Sequence, residues 1–409
     1  MSAPETEVGF SPPPYPYDRL GAVVETAASH PGGAVDLSVG TPCDPPPNAV
    51  VHALGTSGTE RGYPASMGSA AMRSAAARWI ERRFGVSLDP AQIAACVGTK
   101  EFVATAAWFL RLRTPGRDTV LAPSVAYPTY AMGARLAGCR VVEVPAAGIG
   151  GIELSTIADA DAERALCVWV NSPSNPTGAL SDLGAAAAWG RARGVPVLCD
   201  ECYAEFTWKG APASIVQHGV EGVLAVHSLS KRSNLAGARV GVYAGDAELV
   251  RYLAEVRKHA GLMVPGPVQA AAVVAWDDDA HVAEQRERYR GRLARLAEML
   301  RGAGLEAEMP AGGFYLWVPV PGWADAQGEV EGRTGAWVLT TALAEAAGMI
   351  VSPGEFYGQQ AAGFVRVAAV QPDERVELAA KRLASSDHPH LGRAASAGPL
   401  RSGENGAAR

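Results

Sequence analysis

The stretch HSLSKRSNLAGARVG, residues 227–241, directly follows the apolar run GVLAV that begins at residue 222. A run that is apolar at every position is typical of a β-strand covered on both faces, as strands of parallel sheets are. The alternation of such runs with Ala- and Leu-rich helical stretches predicts an α/β protein built on a mostly parallel sheet. Five more short β-rich runs occupy residues 118–123, 139–145, 165–173, 195–201 and 238–245.

The remainder of the chain predicts a second, smaller α+β domain. Residues 280–304 show one long amphipathic pattern, in which apolar residues recur at helical spacing among arginines and glutamates. Three β-like segments follow it: GGFYLWVPV, GMIVSPG and FVRVAAV. We expect four regions. They are an N-terminal arm at 1–40 that joins the small domain, a large domain at 41–265, a small domain at 266–385 and a tail without fixed structure at 386–409.

Composition excludes several classes of protein. The chain has 409 residues, is 48% hydrophobic and carries a formal net charge of −6. A membrane span requires about 18 consecutive apolar residues, and the chain contains no such run. It also shows no secretory signal, so we expect a cytoplasmic protein without a membrane partner. A mildly acidic chain without a basic stripe also argues against nucleic-acid binding as the main task.

Six cysteines are scattered through apolar segments. In a large chain without an export signal, this favours buried thiols over a disulfide framework. Cys199 and Cys202 form a C-x-x-C motif, a spacing also found in redox pairs and metal sites. No second motif of this kind follows, so we expect no metal site.

A lysine stands at the centre of the opening stretch. Ser228, Ser230, Lys231 and Arg239 form a Ser-x-x-Lys pattern with an arginine eight residues after the lysine. Ser-x-x-Lys also occurs in β-lactamase-type enzymes, where the serine is the nucleophile, but the S-D-N and K-T-G partners of that arrangement are missing here. A lysine between hydroxyls and an arginine at a strand end suits a Schiff-base amine beside a phosphate group.

Two other predicted strand ends carry polar residues. Asn175 lies in the turn NSPSNPTG, residues 171–178, where its amide can donate to a ligand oxygen. Asp200 ends the apolar run VPVLC, and a buried carboxylate requires a cationic or donor partner. A protonated pyridine nitrogen is one such partner, and Tyr203 is placed to reach a neighbouring phenolic oxygen.

Residues 98–100 precede an apolar helix. Backbone amides at a helix N-terminus bind phosphate, which makes Thr99 and Lys100 candidates for a phosphate site, while Thr99 also suits an ordinary helix N-cap. Tyr127, in SVAYPTY, is placed to lie flat on a ring. Because ligand sites of α/β proteins assemble where parallel strands end, these motifs together describe a pyridoxal-phosphate pocket.

The same motifs resemble those of fold-type I pyridoxal-phosphate enzymes of the class I and II aminotransferase family, from about residue 15 to residue 385. Within that family the chain is most similar to actinobacterial N-succinyldiaminopimelate aminotransferases. The resemblance implies a large domain with a mostly parallel seven-stranded sheet flanked by helices, plus a smaller α+β domain. It is carried by DLSVGTPCDP, GTKE, AYPTYAMGARLAG, NSPSNPTG, SLSKRSNLAGARVG and VRKHAGLMVPGPVQAA.

The resemblance also implies how the cofactor is held. Lys231 binds it as a Schiff base, Asp200 pairs with the pyridine nitrogen, and Tyr203 and Asn175 contact the ring hydroxyl. Tyr127 stacks on the ring. The residues implied in the phosphate site are Thr99, Lys100, Ser228, Ser230 and Arg239.

Substrate and subunit contacts are implied in the same way. Arg366 in FVRVA binds the substrate α-carboxylate, which Asn175 and the backbone of Gly40 also approach. Tyr63 is the tyrosine that family members lend to the phosphate of the neighbouring subunit, which implies a homodimer with shared active sites. Weaker candidates for distal substrate contacts are Tyr17, Arg257, Lys258 and Gln371.

The activity implied is transfer of an amino group between glutamate/2-oxoglutarate and an amino acid such as N-succinyl-LL-diaminopimelate, in lysine biosynthesis. Two departures from the family pattern leave other substrates open: VAAVQPDER after Arg366, and Ala238 where relatives often carry Tyr or Trp. The alternative is a pyridoxal-phosphate transaminase, oxidase or lyase of secondary metabolism. A regulatory module is disfavoured, because about 35 irregular residues precede the first motif and a DNA-binding module needs about 70.

Overall fold

The computed structural model describes residues 10–146 and 151–392. Within these residues the helices are α1 Gly21–Ala28, α2 Asn48–Thr56, α3 Ala70–Phe84, α4 Thr99–Arg113, α5 Thr129–Leu136, α6 Asp159–Arg164, α7 Leu183–Arg193, α8 Leu229–Arg232, α9 Ala247–His259, α10 Gly266–Asp277, α11 Ala280–Gly302, α12 Gly322–Glu331, α13 Gly335–Ala347 and α14 Asp373–Ala384. The strands are β1 Val35–Asp36, β2 Ile93–Cys96, β3 Thr119–Pro123, β4 Arg140–Val144, β5 Ala165–Asn171, β6 Val197–Asp200, β7 Val223–Ser228, β8 Gly241–Gly245, β9 Tyr315–Pro319, β10 Met349–Ile350, β11 Ser352–Pro353 and β12 Phe364–Ala368.

Seven strands form the main sheet, in the order β2-β8-β7-β6-β5-β3-β4. Only β8 runs against its neighbours, whereas β7, β6, β5, β3 and β4 pair in parallel. This confirms the predicted seven-stranded, mostly parallel sheet, and six of its strands lie within the predicted β-rich runs. The sequence patterns missed β2, whose four residues are too short to stand out from the helical stretches around them.

The main sheet is covered on both faces, as its continuously apolar strands predict. In β7, Val223 and Ala225 join one core with α3, α7 and α10. Leu224 and Val226 point to the other face, where they join a core with α4, α5 and α9. Successive side chains of a strand alternate between faces, so a strand buried on both sides must be apolar at every position.

One edge of this sheet gathers the polar residues that follow the strands. The carboxyl ends of the parallel strands β5, β6 and β7 are Asn171, Asp200 and Ser228, and the register places Asn171 beside Asp200. The antiparallel β8 begins at this same edge, so Arg239, which precedes it, also lies there. The sheet topology therefore brings separate sequence motifs to one site.

The smaller α+β unit has a three-stranded antiparallel sheet, β11-β12-β9, and a core shared with α11, α13 and α14. The N-terminal arm joins it, because β1 pairs in parallel with β10. Residues 386–392 of the predicted tail also lie against it, and Leu391 is buried in its core. The predicted residues 393–409 of the tail lie outside the described residues, and the domain boundaries remain a prediction.

Across residues 10–146 and 151–392, no helix combines the length and the apolar character needed to cross a membrane. The six cysteines are all free thiols, and four of them are buried: Cys96, Cys139, Cys167 and Cys199. In the same described ranges, no cluster of three or more histidine, cysteine or acidic side chains is arranged to hold a metal ion.

Candidate active site

A cavity of about 240 Å³ opens at the sheet edge where β5, β6 and β7 end. Twelve of the thirteen predicted site residues line it. They are Gly40, Thr99, Lys100, Tyr127, Asn175, Asp200, Tyr203, Ser228, Ser230, Lys231, Arg239 and Arg366. Tyr63 does not line the cavity, since its side chain is 98% exposed elsewhere on the surface of the single chain.

Lys231 projects into this cavity from α8, the short helix that begins directly after β7. Its amine Nζ donates a hydrogen bond to the backbone oxygen of Gly40. Burial lowers the pKa of the Lys231 amine to about 8, because it disfavours the charged ammonium form. An amine with such a pKa is partly neutral near neutral pH, which is the form that attacks a carbonyl or accepts a proton.

Asp200, the last residue of β6, is a buried carboxylate at the floor of the cavity. Burial raises the pKa of its carboxyl group. Its Oδ2 accepts a hydrogen bond from the Tyr130 hydroxyl at 3.0 Å, and its Oδ1 accepts one from the backbone N–H of Cys202 at 3.2 Å. No lysine, arginine or histidine nitrogen among the described residues lies within 4.0 Å of it, so the site favours a cationic ligand atom.

The phosphate-like part of the site combines a helix N-terminus with hydroxyl groups. Helix α4 begins at Thr99, and the first two residues of this helix line the cavity together with Ser228 and Ser230. Ser228 caps α8 by accepting a hydrogen bond from the backbone N–H of Ser230 at 3.0 Å. Arg239 adds a cation that pairs with no carboxylate among the described residues. Neutral donors, an arginine and free helix amides are the chemistry that a phosphate group requires.

Gly98 leaves the space in which the Arg239 guanidinium lies. It has a φ of +75°, and a Cβ atom on it would overlap that guanidinium. We therefore expect Gly98→Ala to weaken pyridoxal-phosphate binding by at least about tenfold, because a charge-assisted contact is worth roughly 1.5–3 kcal/mol. Fluorescence titration of the cofactor-free protein measures this affinity.

Gly237→Ala is the matched control for this prediction. Gly237 lies in the same segment as Arg239, has ordinary backbone angles and has open space where a Cβ would stand. Its variant should bind the cofactor like the unmodified protein. Equal affinities for the two variants would show that Gly98 does not shape the phosphate site.

Tyr203 reaches the cavity from the loop after β6, and its hydroxyl forms a 2.8 Å hydrogen bond with that of Tyr315 on β9. The Tyr315 hydroxyl also accounts for the glycine at position 40, because a Cβ atom there would overlap it. Burial raises the pKa of Tyr315 to about 12, so its hydroxyl keeps its proton at neutral pH. The two tyrosines thus present neutral hydroxyl groups in the cavity that Lys231 also lines.

Arg366 of β12 is fully buried and lines the cavity from the three-stranded sheet of the smaller unit. Its Nη1 donates to Asn175 Oδ1 at 2.7 Å, and its Nη2 donates to the Tyr17 hydroxyl at 3.1 Å. The guanidinium also lies over the ring of Tyr315, 4.0 Å from the centroid. No carboxylate of the described residues neutralises it, so this buried cation is available to an anionic ligand.

The Lys100 side chain contacts two tyrosines of the cavity, and its predicted role at the phosphate remains a prediction. Its Nζ donates to the Tyr15 hydroxyl at 3.4 Å and lies 4.9 Å and 5.8 Å from the ring centroids of Tyr15 and Tyr127. In the part of the chain that the structure describes, it makes no hydrogen bond to the hydroxyls around α8. Its side chain therefore faces the aromatic, N-terminal side of the cavity.

Of the weaker candidates, only Tyr17 lines the cavity. The buried Arg257 forms an ion pair with the partly buried Glu101, with two contacts of 2.7 and 2.6 Å. Lys258 is exposed and lies 3.9 Å from Glu255, and Gln371 donates to the backbone oxygen of Asp36. These three side chains serve structural contacts.

Nine lining residues were absent from the sequence prediction, and among them Tyr130 and Tyr315 hydrogen-bond to predicted site residues. Tyr130 stands three residues after Tyr127 in SVAYPTY, a spacing that places both on one side of a helical turn. That spacing was the available signal for Tyr130. Tyr315 follows Phe314 in an apolar strand, where a tyrosine is indistinguishable from a core residue.

Comparison with known proteins places this site in a family. The family model described as aminotransferase class I and II matches residues 33–383. A 4-dedimethylamino-4-oxo-anhydrotetracycline transaminase from Streptomyces rimosus is 42% identical over 91% of this chain and 99% of its own. An LL-diaminopimelate aminotransferase from Dehalococcoides mccartyi is 31% identical over 91% of this chain and 96% of its own.

Solved structures agree with the sequence comparison. A probable N-succinyldiaminopimelate aminotransferase from Thermus thermophilus superposes with a TM-score of 0.78, at 31% identity over 90% of this chain and 98% of that one. The resemblance inferred from the motifs is confirmed. The chain belongs to the class I and II aminotransferase family, whose members are pyridoxal-phosphate-dependent transaminases.

Proposed function

We propose that this aminotransferase exchanges amino groups between glutamate/2-oxoglutarate and an amino acid that carries a second, distal carboxylate, with Lys231 as the catalytic amine. N-Succinyl-LL-diaminopimelate, a precursor of lysine, is the compound of this class that we propose first. The observation that carries the proposal is that two cations besides Arg239, namely Arg366 and Lys100, line the same cavity as Lys231 and bond to different partners there.

The residues fit pyridoxal phosphate. Thr99, Ser228, Ser230 and Arg239 would hold its phosphate, Asp200 its pyridine nitrogen, Asn175 and Tyr203 its ring hydroxyl, and Tyr127 its ring face. When bound, the cofactor supplies a ring that accepts the electrons released from the substrate Cα. The Asp200 carboxylate would hold a proton at the pyridine nitrogen, which keeps the ring an electron acceptor.

Lys231 would transfer the proton, and Arg366 would bind and orient the substrate. The Lys231 amine, with a pKa lowered to about 8, would be suited to take a proton from the substrate Cα and to deliver it to the cofactor carbon C4′. Arg366 presents a planar fork to the α-carboxylate and fixes which Cα bond is broken. Holding the carboxylate away from the breaking bond favours loss of the proton over loss of carbon dioxide.

Substitution of Lys100 tests whether this residue binds the distal carboxylate of the substrate. Lys100→Met should raise the KM for 2-oxoglutarate by about 10- to 100-fold, because a hydrogen bond to a charged group is lost. The KM for pyruvate, which has no distal carboxylate, should stay within about twofold. Steady-state assays of both keto acids with one amino donor measure this split.

Lys258→Met is the control, since it removes an exposed lysine that does not line the cavity. If Lys100 instead binds the phosphate, as the family resemblance implies, its variant would lose cofactor affinity and would affect both keto acids equally. That outcome would contradict the assignment of Lys100 to the substrate.

A second candidate function rests on a larger cavity beside the first. It encloses about 570 Å³, and its lining shares Tyr15, Lys100, Tyr127 and Tyr130 with the active-site cavity. The relative from Streptomyces rimosus is named as a transaminase of an anhydrotetracycline, which is a polycyclic compound. A bulky ketone of secondary metabolism is therefore the alternative amino acceptor.

A screen of amino donors and keto acceptors separates the candidates. Cofactor absorbance should shift on adding an amino acid alone and return on adding the correct keto acid. Preference for compact dicarboxylates supports the first candidate, and preference for bulky ring ketones supports the second. Oxygen consumption or ammonia release in place of keto-acid turnover would identify an oxidase or a lyase.

We also propose a homodimer with shared active sites. Tyr63 supports it, since a large aromatic side chain that is 98% exposed on the single chain is suited to a contact with a second copy. It stands in the segment GYPASMGSAAMR that resembles the part of the family pattern at the subunit boundary.

A further inference from the structure

The carboxylate of Asp200 is held on both sides by groups of its own chain. Its Oδ1 accepts from the backbone N–H of Cys202, a contact that any residue at that position would provide. Its Oδ2 accepts from the Tyr130 hydroxyl at 3.0 Å, a contact that depends on one side chain from α5. Among the described residues, Tyr130 is thus the side chain whose hydroxyl group hydrogen-bonds to this carboxylate, and the Cys202 thiol is a second side-chain donor close to it.

The surroundings of Tyr130 fix its hydroxyl in place. Its ring is buried and packs against Trp169 of β5, with 5.1 Å between ring centroids. It also meets the Tyr127 ring edge-on at 6.4 Å. Burial, and secondarily the Asp200 charge, raise the pKa of Tyr130 well above its usual value, so the hydroxyl remains a donor throughout the working pH range.

We propose that Tyr130 is a positioning residue of this aminotransferase, whose hydroxyl fixes the Asp200 carboxylate in its ionised form and in the orientation that holds the protonated ring nitrogen of the cofactor. This inference rests on the proposed role of Asp200. Burial alone favours the neutral acid, which could not hold a proton at the ring nitrogen. A hydrogen bond donated to the charged form opposes this effect, and it also prevents rotation of the carboxylate.

Tyr130→Phe removes the hydroxyl and keeps the ring that packs on Trp169. We expect this variant to bind pyridoxal phosphate about 10- to 100-fold more weakly and to lose a similar factor in kcat, since a hydrogen bond to a charged group is removed. The KM for the amino donor should change little, because the contacts of Arg366 are untouched. The visible absorption spectrum of the bound cofactor should also change, which a purely structural role would not produce.

Tyr243→Phe is the matched control. Tyr243 is a buried tyrosine of β8 on the same face of the sheet, its ring stacks on Phe102 at 4.6 Å, and its hydroxyl has no hydrogen-bond partner among the described residues. Removing that hydroxyl should leave cofactor affinity, spectrum and kcat unchanged. Melting temperatures of both variants show whether either has lost its fold.

The outcomes separate the inference from the function on which it rests. If the unmodified protein binds no pyridoxal phosphate, the proposed function fails. If the unmodified protein binds it and Tyr130→Phe matches Tyr243→Phe in affinity, spectrum and kcat, the inference about Tyr130 is overturned. If Tyr130→Phe is weakened only in proportion to a lowered melting temperature, with an unchanged spectrum, Tyr130 is structural and the inference is again overturned.

Discussion

Replacing Lys231 with alanine should abolish transamination, with kcat lowered by at least about 10²–10⁴-fold. That range is the usual contribution of one positioned proton-transfer group, and Lys231 would also lose its bond to the cofactor. No other lysine lines the cavity except Lys100, whose ammonium is engaged with Tyr15. Stopped assays with glutamate and a keto acceptor measure the loss, and the purified variant should lack the visible absorption band of the bound cofactor.

Lys209→Ala is the control for this variant. Lys209 is exposed and does not line the cavity, so its loss should leave kcat unchanged. Circular dichroism should show that both variants keep the fold, since Lys231 makes its one hydrogen bond to a backbone oxygen. A Lys231→Ala protein that retains more than about a tenth of the activity would contradict the role of this amine.

Replacing Arg366 with alanine should lower kcat/KM by about 30- to 5,000-fold. Truncating one member of a buried, hydrogen-bonded charge pair costs roughly 2–5 kcal/mol, and each 1.4 kcal/mol is a factor of ten. The loss should be seen with every α-amino acid, because all carry the α-carboxylate. The kcat/KM of Arg366→Lys should lie between those of the unmodified protein and Arg366→Ala. Lysine keeps the charge but lacks the planar fork that donates to Asn175 and Tyr17.

Arg295→Ala provides the comparison for a charge removed at the surface. Arg295 on α11 pairs with Glu377 at 2.6 Å, and both side chains are well exposed. Exposed ion pairs contribute little, so activity should be unaffected. If Arg366→Ala matched this control for amino-acid substrates, the α-carboxylate would have to bind elsewhere in the cavity.

The fold was largely predictable because its signals are local. Continuously apolar runs mark strands buried on both faces, and polar residues after them mark the edge where ligands bind. The motif around Lys231 and the turn around Asn175 can each be recognised from a few consecutive residues. Strand β2 was missed, because the four residues Ile93–Cys96 carry too little pattern to distinguish a strand from its surroundings.

The rest of the site depends on contacts between distant segments. Tyr315 and Tyr203 are 112 residues apart, and the Tyr130 and Asp200 pair is 70 residues apart. Contacts between such distant residues cannot be predicted from the residue spacing within either motif. Arg257 shows the reverse case, since a buried arginine in a family-like segment pairs with the partly buried Glu101 instead of a substrate. Lys100 stands in a phosphate-type motif but directs its ammonium to two tyrosines.

Borohydride reduction of the protein with pyridoxal phosphate, followed by peptide mass mapping, tests the central claim most directly. The five lysines of the chain make the map simple to read. We predict a cofactor label on Lys231 alone, and loss of that label when glutamate is added before the borohydride, because the amino group then resides on the cofactor. A label on another lysine, no label, or a label that glutamate does not remove would contradict an aminotransferase centred on Lys231.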